Sequence, residues 1–247
     1  EVLEINKLHR GDCLELMHGI DDKSIDMILS ALPYGTTASK WDSVIPFEPL
    51  WAHYKRIIKN NGAIVLTASQ PFTSALVMSN IKMFKYEWIW QKTRFSNQMM
   101  AKIQPLKIHE SALIFSNGKC NYYPQGLKRV DKVTKQGSKI TDNIGGGNRK
   151  KEYFQEFSNY PRSIQEFKNQ TGLHPTQKPV ALFEYLIKTY TNEGELVLDN
   201  CAGSGTTAIA CLGTNRNFIL MEREKNYCDI ANKRIADKQI ADILELT

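Results

Sequence analysis

The stretch Val197-Leu-Asp199-Asn-Cys-Ala-Gly203-Ser-Gly205-Thr-Thr207 constrains the fold more than any other part of this chain. An apolar run ends in a turn of small residues and passes straight into the helix-permitting segment Ala208-Ile-Ala-Cys-Leu212. Glycine has no side chain and tolerates positive φ, so a strand that ends in Gly-x-Gly and opens a helix lets bare backbone approach a ligand. The pattern reads as a nucleotide-type pocket. Shortly after it, Arg216-Asn-Phe-Ile-Leu-Met-Glu222 reads as a second strand ending in an acid, the position from which doubly wound folds hold ribose hydroxyls. Glu222 is the candidate for that role. The motif stops short of a full Gly-x-Gly-x-x-Gly, so on these residues alone a glycine-rich turn in some other α/β protein remains open.

The rest of the chain supplies the other layers. His9-Arg-Gly11-Asp12 is a short turn before a helix-compatible stretch, with Asp12 at a natural cap. Ser24 to Leu29 predicts a buried strand, stopped at Pro33-Tyr34-Gly35. Helical spacing over residues 46–58, a strand at 63–66, a helix over 71–81 and a strand at 87–90 continue the alternation. A further helix over 180–188, with Pro179 in its first turn, feeds the glycine strand. Such alternation predicts a mostly parallel sheet covered on both faces. Residues 224–246 predict a covering helix with no recognisable chemistry.

Net charge is +6, and its distribution matters more than its size. Between Gln91 and Gln170 there are 15 Lys/Arg against 6 Asp/Glu, so the remainder of the chain is slightly acidic. A basic segment on a near-neutral core is the electrostatic footprint of phosphate binding, an ordinary solvated surface being the alternative. Lys92, Arg94, Lys102 and Lys107 precede Glu110 without an intervening acid and predict a mobile basic loop. From Ser116 to Thr171 periodicity is weak, and basic residues (Lys128, Arg129, Arg149, Lys150, Arg162) mix with tyrosines and glycines. That composition suits contact with phosphates and stacking on bases, and equally suits partial disorder. Five scattered cysteines indicate neither a disulfide framework nor a zinc site. The lack of a long apolar run or a leader-like start predicts a cytosolic protein with no membrane partner.

Three separated elements, Leu32-Pro33-Tyr34-Gly35, His174-Pro-Thr176-Gln177-Lys178-Pro and Leu198-Asp199-Asn-Cys-Ala202-Gly203-Ser204-Gly205-Thr206-Thr207, together resemble the S-adenosylmethionine-dependent DNA amino-methyltransferases of restriction-modification systems and phages. The order is the permuted β-type: catalytic motif first, target recognition in the middle, cofactor motif last. The resemblance implies an α/β fold with a doubly wound, mostly parallel, seven-stranded Rossmann-like sheet. It implies a catalytic domain made of residues 1–115 and 172–247, with a target-recognition insertion at 116–171. It implies S-adenosylmethionine as methyl donor, S-adenosylhomocysteine as product, double-stranded DNA as partner and, as in many such relatives, a homodimer, in a bacterial or phage-infected cytoplasm. Cofactor contacts fall by that resemblance on Asp12 and Cys13 (adenine ring), His174, Thr176, Gln177 and Lys178 (methionine end), Asp199, Ala202, Gly203, Ser204, Gly205 and Thr206 (loop) and Glu222 (ribose). Lys92, Arg94, Lys102, Lys128, Arg129, Arg149, Lys150 and Arg162 are the DNA-contact candidates, and no metal is implied.

The catalytic motif of that family begins with Asp, Asn or Ser followed by Pro-Pro-Tyr. Here Ala31-Leu32-Pro33-Tyr34 departs twice. Leu32 costs little, because its position contributes a backbone carbonyl. Ala31 removes the side-chain acceptor that helps free the lone pair of an exocyclic amine, a poor nucleophile whose electrons are delocalised into the base. The expectation is therefore a weakly active chain whose active form carries Asp at position 31, with adenine N6 as target and cytosine N4 as the alternative. Tyr34 is expected to stack on a base swung out of the duplex. Asp42 is either a substitute acceptor or a structural residue. A binder of cofactor or DNA without turnover, and action on an RNA or a small molecule, stay open.

Overall fold

The computed structural model describes residues 2–37, 39, 42–135 and 152–245. Its contacts divide the chain into two compact units, Glu1–Tyr123 with Ser163–Thr247, and Pro124–Arg162.

The first unit is built on an eight-stranded sheet. Its strands are β1 (Lys7–Arg10), β2 (Ile25–Ser30), β3 (Ile58–Ala68), β4 (Phe84–Ser96), β5 (Lys107–Phe115), β8 (Ile164–Phe167), β9 (Leu196–Asp199) and β10 (Asn217–Glu222). They lie in the order β1-β10-β9-β2-β3-β5-β4-β8. The pairs from β1 through β3 are parallel, β5 runs antiparallel to both β3 and β4, and β8 is parallel to β4. Apolar residues occupy both faces of the central strands, as a sheet covered on two sides requires. Ile28, Ile64, Leu66 and Leu198 face helices α1 (Cys13–Leu16), α2 (Phe47–Ile57) and α3 (Phe72–Ser79). Met27, Leu29, Val65 and Val197 face α4 (Val180–Tyr190), α5 (Thr206–Leu212) and α6 (Lys225–Glu245). The alternation of neighbours such as Met27 and Ile28 between the two cores is the period of two that a strand imposes.

Several expectations need correction. His9 and Arg10, read as part of a turn, end a strand that begins at Lys7, because its backbone pairs with β10 even though only Leu8 and His9 are partly sheltered. Lys92 and Arg94, placed in a mobile loop, lie within β4, which continues to Ser96, so the loop shrinks to residues 97–106. The sheet has eight strands rather than seven, since Ile164–Phe167, from the segment read as aperiodic, pairs with Ile89–Lys92. Ser116–Tyr123 and Ser163–Thr171 likewise belong to the first unit.

The second unit contains an antiparallel hairpin of β6 (Lys128–Lys135) and β7 (Glu152–Ser158), with a register shift between Arg129 and Lys132. Val133, Tyr153 and Phe154 are exposed on it, and Asn159 Nδ2 donates to the Gly126 carbonyl at 2.7 Å.

The glycine turn shows why the sequence had to be small there. Gly205 precedes α5 with φ +78, and a Cβ on it would lie 2.8 Å from the Ala231 Cβ of α6. Gly205→Ala should therefore lower stability by about 1–3 kcal/mol through left-handed strain and this clash. Urea unfolding measures it, and an unchanged midpoint would mean that α6 gives way freely.

Candidate active site

In a parallel sheet the strands deliver their carboxyl ends to one edge, and ligands collect where those ends diverge. β2 and β9 are neighbours, with Met27 opposite Val197 and Ile28 opposite Leu198, so the loops that follow them emerge side by side. Both open into one cavity of about 340 Å³, lined by Ala31, Leu32, Pro33 and Tyr34 from one corner and by Asp199, Ala202, Gly203, Ser204 and Thr206 from the other. Asp12, Cys13, His174, Thr176, Gln177, Lys178 and Glu222 line the same space. Of the residues singled out for catalysis and cofactor, Gly205 alone stands behind the wall, where it shapes the turn.

A buried carboxylate ties the two corners. Asp199 Oδ1 accepts from Ser30 Oγ at 2.8 Å and from the Cys201 amide at 3.0 Å, while Oδ2 accepts from Thr207 Oγ1. Burial pushes its pKa up to about 6, opposed by these hydrogen bonds. Glu222 pins the loop from the other side, Oε2 accepting from the Gly203 amide and Oε1 from the Glu224 amide, both at 2.8 Å. Arg234 of α6 adds a third anchor by donating to the Ser204 carbonyl at 2.6 Å. Sequence reasoning found no chemistry in α6, yet it also sends Tyr227 into the cavity wall, 4.2 Å in ring separation from His174. An arginine and a tyrosine seven residues apart on a covering helix carry no signal of their own. His174 Nδ1 accepts from the Thr176 amide at 3.2 Å. Burial, helped by Lys178, pushes His174 down to about 4, so its ring is neutral at pH 7.

Asp12 caps α1 by accepting from the Leu14 amide at 2.8 Å. Cys13 is buried, with its Sγ 3.5 Å from Asn200 Nδ2. Asp42 accepts from the amides of Gly35, Thr36 and Thr37 at 2.9, 2.9 and 2.7 Å. Burial pushes its carboxyl up, and the bonds from Thr37, Gly35 and Thr36 outweigh that, leaving it below the usual range. With its oxygens held by the turn after Tyr34, Asp42 acts as the brace of that loop.

Tyr34 is held by several contacts while still lining the cavity. Its ring stacks on Phe72 at 5.2 Å, the Lys178 ammonium lies 5.3 Å from its centroid, and its hydroxyl donates to Thr67 Oγ1 at 3.0 Å and Glu110 Oε2 at 3.3 Å. Glu110 is in turn clamped between Lys92 and Lys178, the latter at 3.0 Å. Burial alone would raise this carboxyl, but the two ammonium groups overcome it and hold the pKa at about 2. Lys92, expected to contact DNA, is thus buried with its charge committed to Glu110. The sequence offered Glu110 only as the acid that ends a basic run.

The remaining basic candidates separate between the units. Arg94 and Lys102 are exposed on the first. Lys128, Arg129 and Arg162 are exposed on the second, where Arg129 pairs with Asp131 at 2.6 Å. Arg149 and Lys150 lie outside the described residues.

Known proteins resemble this chain in sequence and fold. Residues 25–233 match the profile of a family described as DNA methylase. The type II methyltransferase M.HpaI of Haemophilus parainfluenzae is 26% identical over 245 residues, covering 91% of this chain and 72% of the relative. A crystal structure of an M1.HpyAVI–SAM complex superposes with a TM-score of 0.64 at 25% identity, over 93% of this chain and 98% of that one. The PvuII cytosine-N4-specific DNA methyltransferase has the same fold, with a TM-score of 0.67 at 16% identity over 96% and 92%.

The Glu110 clamp makes a signed prediction. Its folded pKa lies below the ordinary 4.5, so the stability it contributes is full above about pH 4.5 and is lost as pH falls toward 2. Glu110→Gln should cost about 3 kcal/mol at pH 7 and much less near pH 2. Urea unfolding at the two pH values checks it, and an equal loss at both would mean that shape, not charge, is what the clamp supplies.

Proposed function

The chain belongs to the N6/N4 DNA methylase family, and from that membership we propose that it transfers a methyl group from S-adenosylmethionine to the exocyclic N6 of an adenine everted from double-stranded DNA. The observation that carries the reading is the single cavity shared by the Ala31–Tyr34 corner and the glycine loop, with Ser30 and Asp199 bonded across them. Its volume of about 340 Å³ falls in the range of small-ligand sites, roughly 300–1,000 Å³.

The residues present fit the donor. Gly203, with φ of +51, keeps the cavity-facing loop backbone bare, Gly205, with φ of +78, shapes the turn behind it, and Glu222, though it holds two amides, keeps acceptor capacity toward a ribose at the cavity wall. Asp12 and Cys13 line the space assigned to the adenine ring, and His174 to Lys178 the methionine end. The bound donor supplies a methyl carbon on a positively charged sulfur. The chain's part is to aim an amine at that carbon, forming the N–C bond as the C–S pair returns to sulfur and the amine proton leaves to solvent. Tyr34, clamped by Phe72 and Lys178, offers a rigid face to the everted base, and the Leu32 carbonyl is the acceptor for an amine hydrogen. Position 31 contributes no acceptor, which supports the second reading of a weakened enzyme or of a binder without turnover.

DNA rather than a small molecule is favoured by the basic stretch between Gln91 and Gln170. The exposed Lys128 and Arg129 on β6 and the exposed aromatics Tyr153 and Phe154 on β7 suit the second unit to target recognition. Among the described residues no helix is long and apolar enough to cross a membrane, and the reading places the work in a bacterial or phage-infected cytoplasm. Adenine is preferred to cytosine because the motifs resemble adenine-type relatives.

Ala31→Asp should raise labelled methyl incorporation into unmethylated genomic DNA by about 10- to 150-fold, the worth of roughly 1.5–3 kcal/mol for a hydrogen bond to a charged group. Digestion and mass spectrometry of the product should find N6-methyladenine; N4-methylcytosine would overturn the choice of base, and no gain over Ala31 would show that another group holds the amine. Duplex affinity should fall steeply between low and high salt, as released counterions require. A flat salt response would instead point to a small-molecule substrate.

A further inference from the structure

Between β4 and β5 the chain makes an excursion whose composition the core does not explain. Met99 is 97% exposed and Ile103 77%, and Phe95, Met100 and Leu106 are exposed as well. The turn is built rather than slack. Asn97 adopts φ +58 and its Oδ1 accepts from the Lys107 amide at 2.8 Å, closing the base where Ser96 pairs with Lys107. Within it, the Met100 carbonyl accepts from the Ile103 and Gln104 amides, each at 2.9 Å. An ordered turn that presents large apolar side chains to water marks a surface that something covers.

Position and charge indicate the occupant. β5 runs antiparallel to β3 with Ser111 opposite Ala68, the residue at which β3 ends. The hairpin tip beyond Lys107 therefore projects past the edge of the sheet to which β2 and β3 deliver their carboxyl ends, the edge that carries Tyr34. Glu110, on the same strand, bonds the Tyr34 hydroxyl. No acid occurs between Lys92 and Glu110, and the exposed Arg94 and Lys102 flank the apolar residues. Cations beside apolar wedges are what a duplex requires of a protein that opens a base step: the cations meet phosphates, and the wedge replaces lost stacking.

We infer that the tip between Phe95 and Leu106 enters double-stranded DNA beside the target nucleotide, Met99 and Ile103 filling the space of the everted base while Arg94 and Lys102 hold the flanking phosphates. The inference rests on the DNA reading above and extends it, since it puts a duplex-opening element on the unit that carries Tyr34 rather than in the later basic segment.

Methionine oxidation tests it without turnover. The protein is exposed briefly to hydrogen peroxide with and without sheared genomic duplex, and sulfoxide is quantified by mass spectrometry at Met99 and at Met78, which is 71% exposed on α3 and serves as internal reference. Duplex should slow oxidation of Met99 several-fold and leave Met78 unchanged. The double variant Met99→Ala, Ile103→Ala should bind a fully paired mixed-sequence duplex about tenfold more weakly, and lose much less on the same duplex with a central unpaired stretch, which needs no opening. Duplex bound with Met99 oxidising at its free rate overturns the inference and leaves the DNA reading intact. No duplex binding at any salt overturns both. Protection that appears on raising protein concentration without DNA assigns the tip to a second copy of the chain and also overturns the inference.

Discussion

A single buried carboxylate holds the site together. Asp199 ends β9, yet one of its oxygens takes the hydroxyl of Ser30, the last residue of β2, and the other takes Thr207 in the first turn of α5. A carboxylate deprived of water is costly unless its lone pairs are filled, and here every donor comes from a segment that must be in register for the cavity to exist. Burial raises its pKa to about 6, and the bonds from Thr207, Cys201 and Ser30 work against that rise. The corner at Ala31–Tyr34 and the loop at Ala202–Gly205 are therefore fixed relative to each other by chemistry that neither corner contains.

Electrostatics organise the second half of the site in a similar way. Glu110 accepts from Lys92 and Lys178 and receives the Tyr34 hydroxyl, so one acid on β5 sets the position of a ring on the loop after β2 and of an ammonium from the segment before α4. Asp42 fixes the turn that follows Tyr34 by collecting three consecutive amides. Both carboxylates work on the backbone and side chains around the reacting face rather than on a substrate. With Ala at position 31, the positioning apparatus surrounds a position whose side chain offers no polar atom.

Much of this was legible in the residues. The strand, glycine turn and helix at Val197–Leu212 are local, and period and turn chemistry specify them without help from the rest of the chain. The convergence of Leu32–Tyr34, His174–Lys178 and Asp199–Thr206 on one cavity followed from their likeness to a known motif order. What escaped was non-local or lacked a pattern. Lys7–Arg10 is a strand because β10 is there to pair with it, and four residues of mixed polarity do not announce that. Lys92 looks in sequence like its exposed neighbour Arg94, and only the approach of β5 decides that one is buried against Glu110. Ile164–Phe167 joins the sheet from a stretch whose composition suggested loops. Arg234 and Tyr227 serve the cavity from a helix that sequence could read only as a cover.

The pairing of Lys7 with Ile219 and of Met27 with Val197 has a consequence for how the protein is made. During synthesis β2 emerges with a hydrophobic flank that its partner β9 cannot cover until the segment around Val197 has followed it, and β1 waits longer still for β10. Such late closure of early strands raises contact order and leaves sticky margins open to the wrong neighbours meanwhile. A chain cut short before β9 therefore lacks the glycine loop, and with it one wall of the cavity.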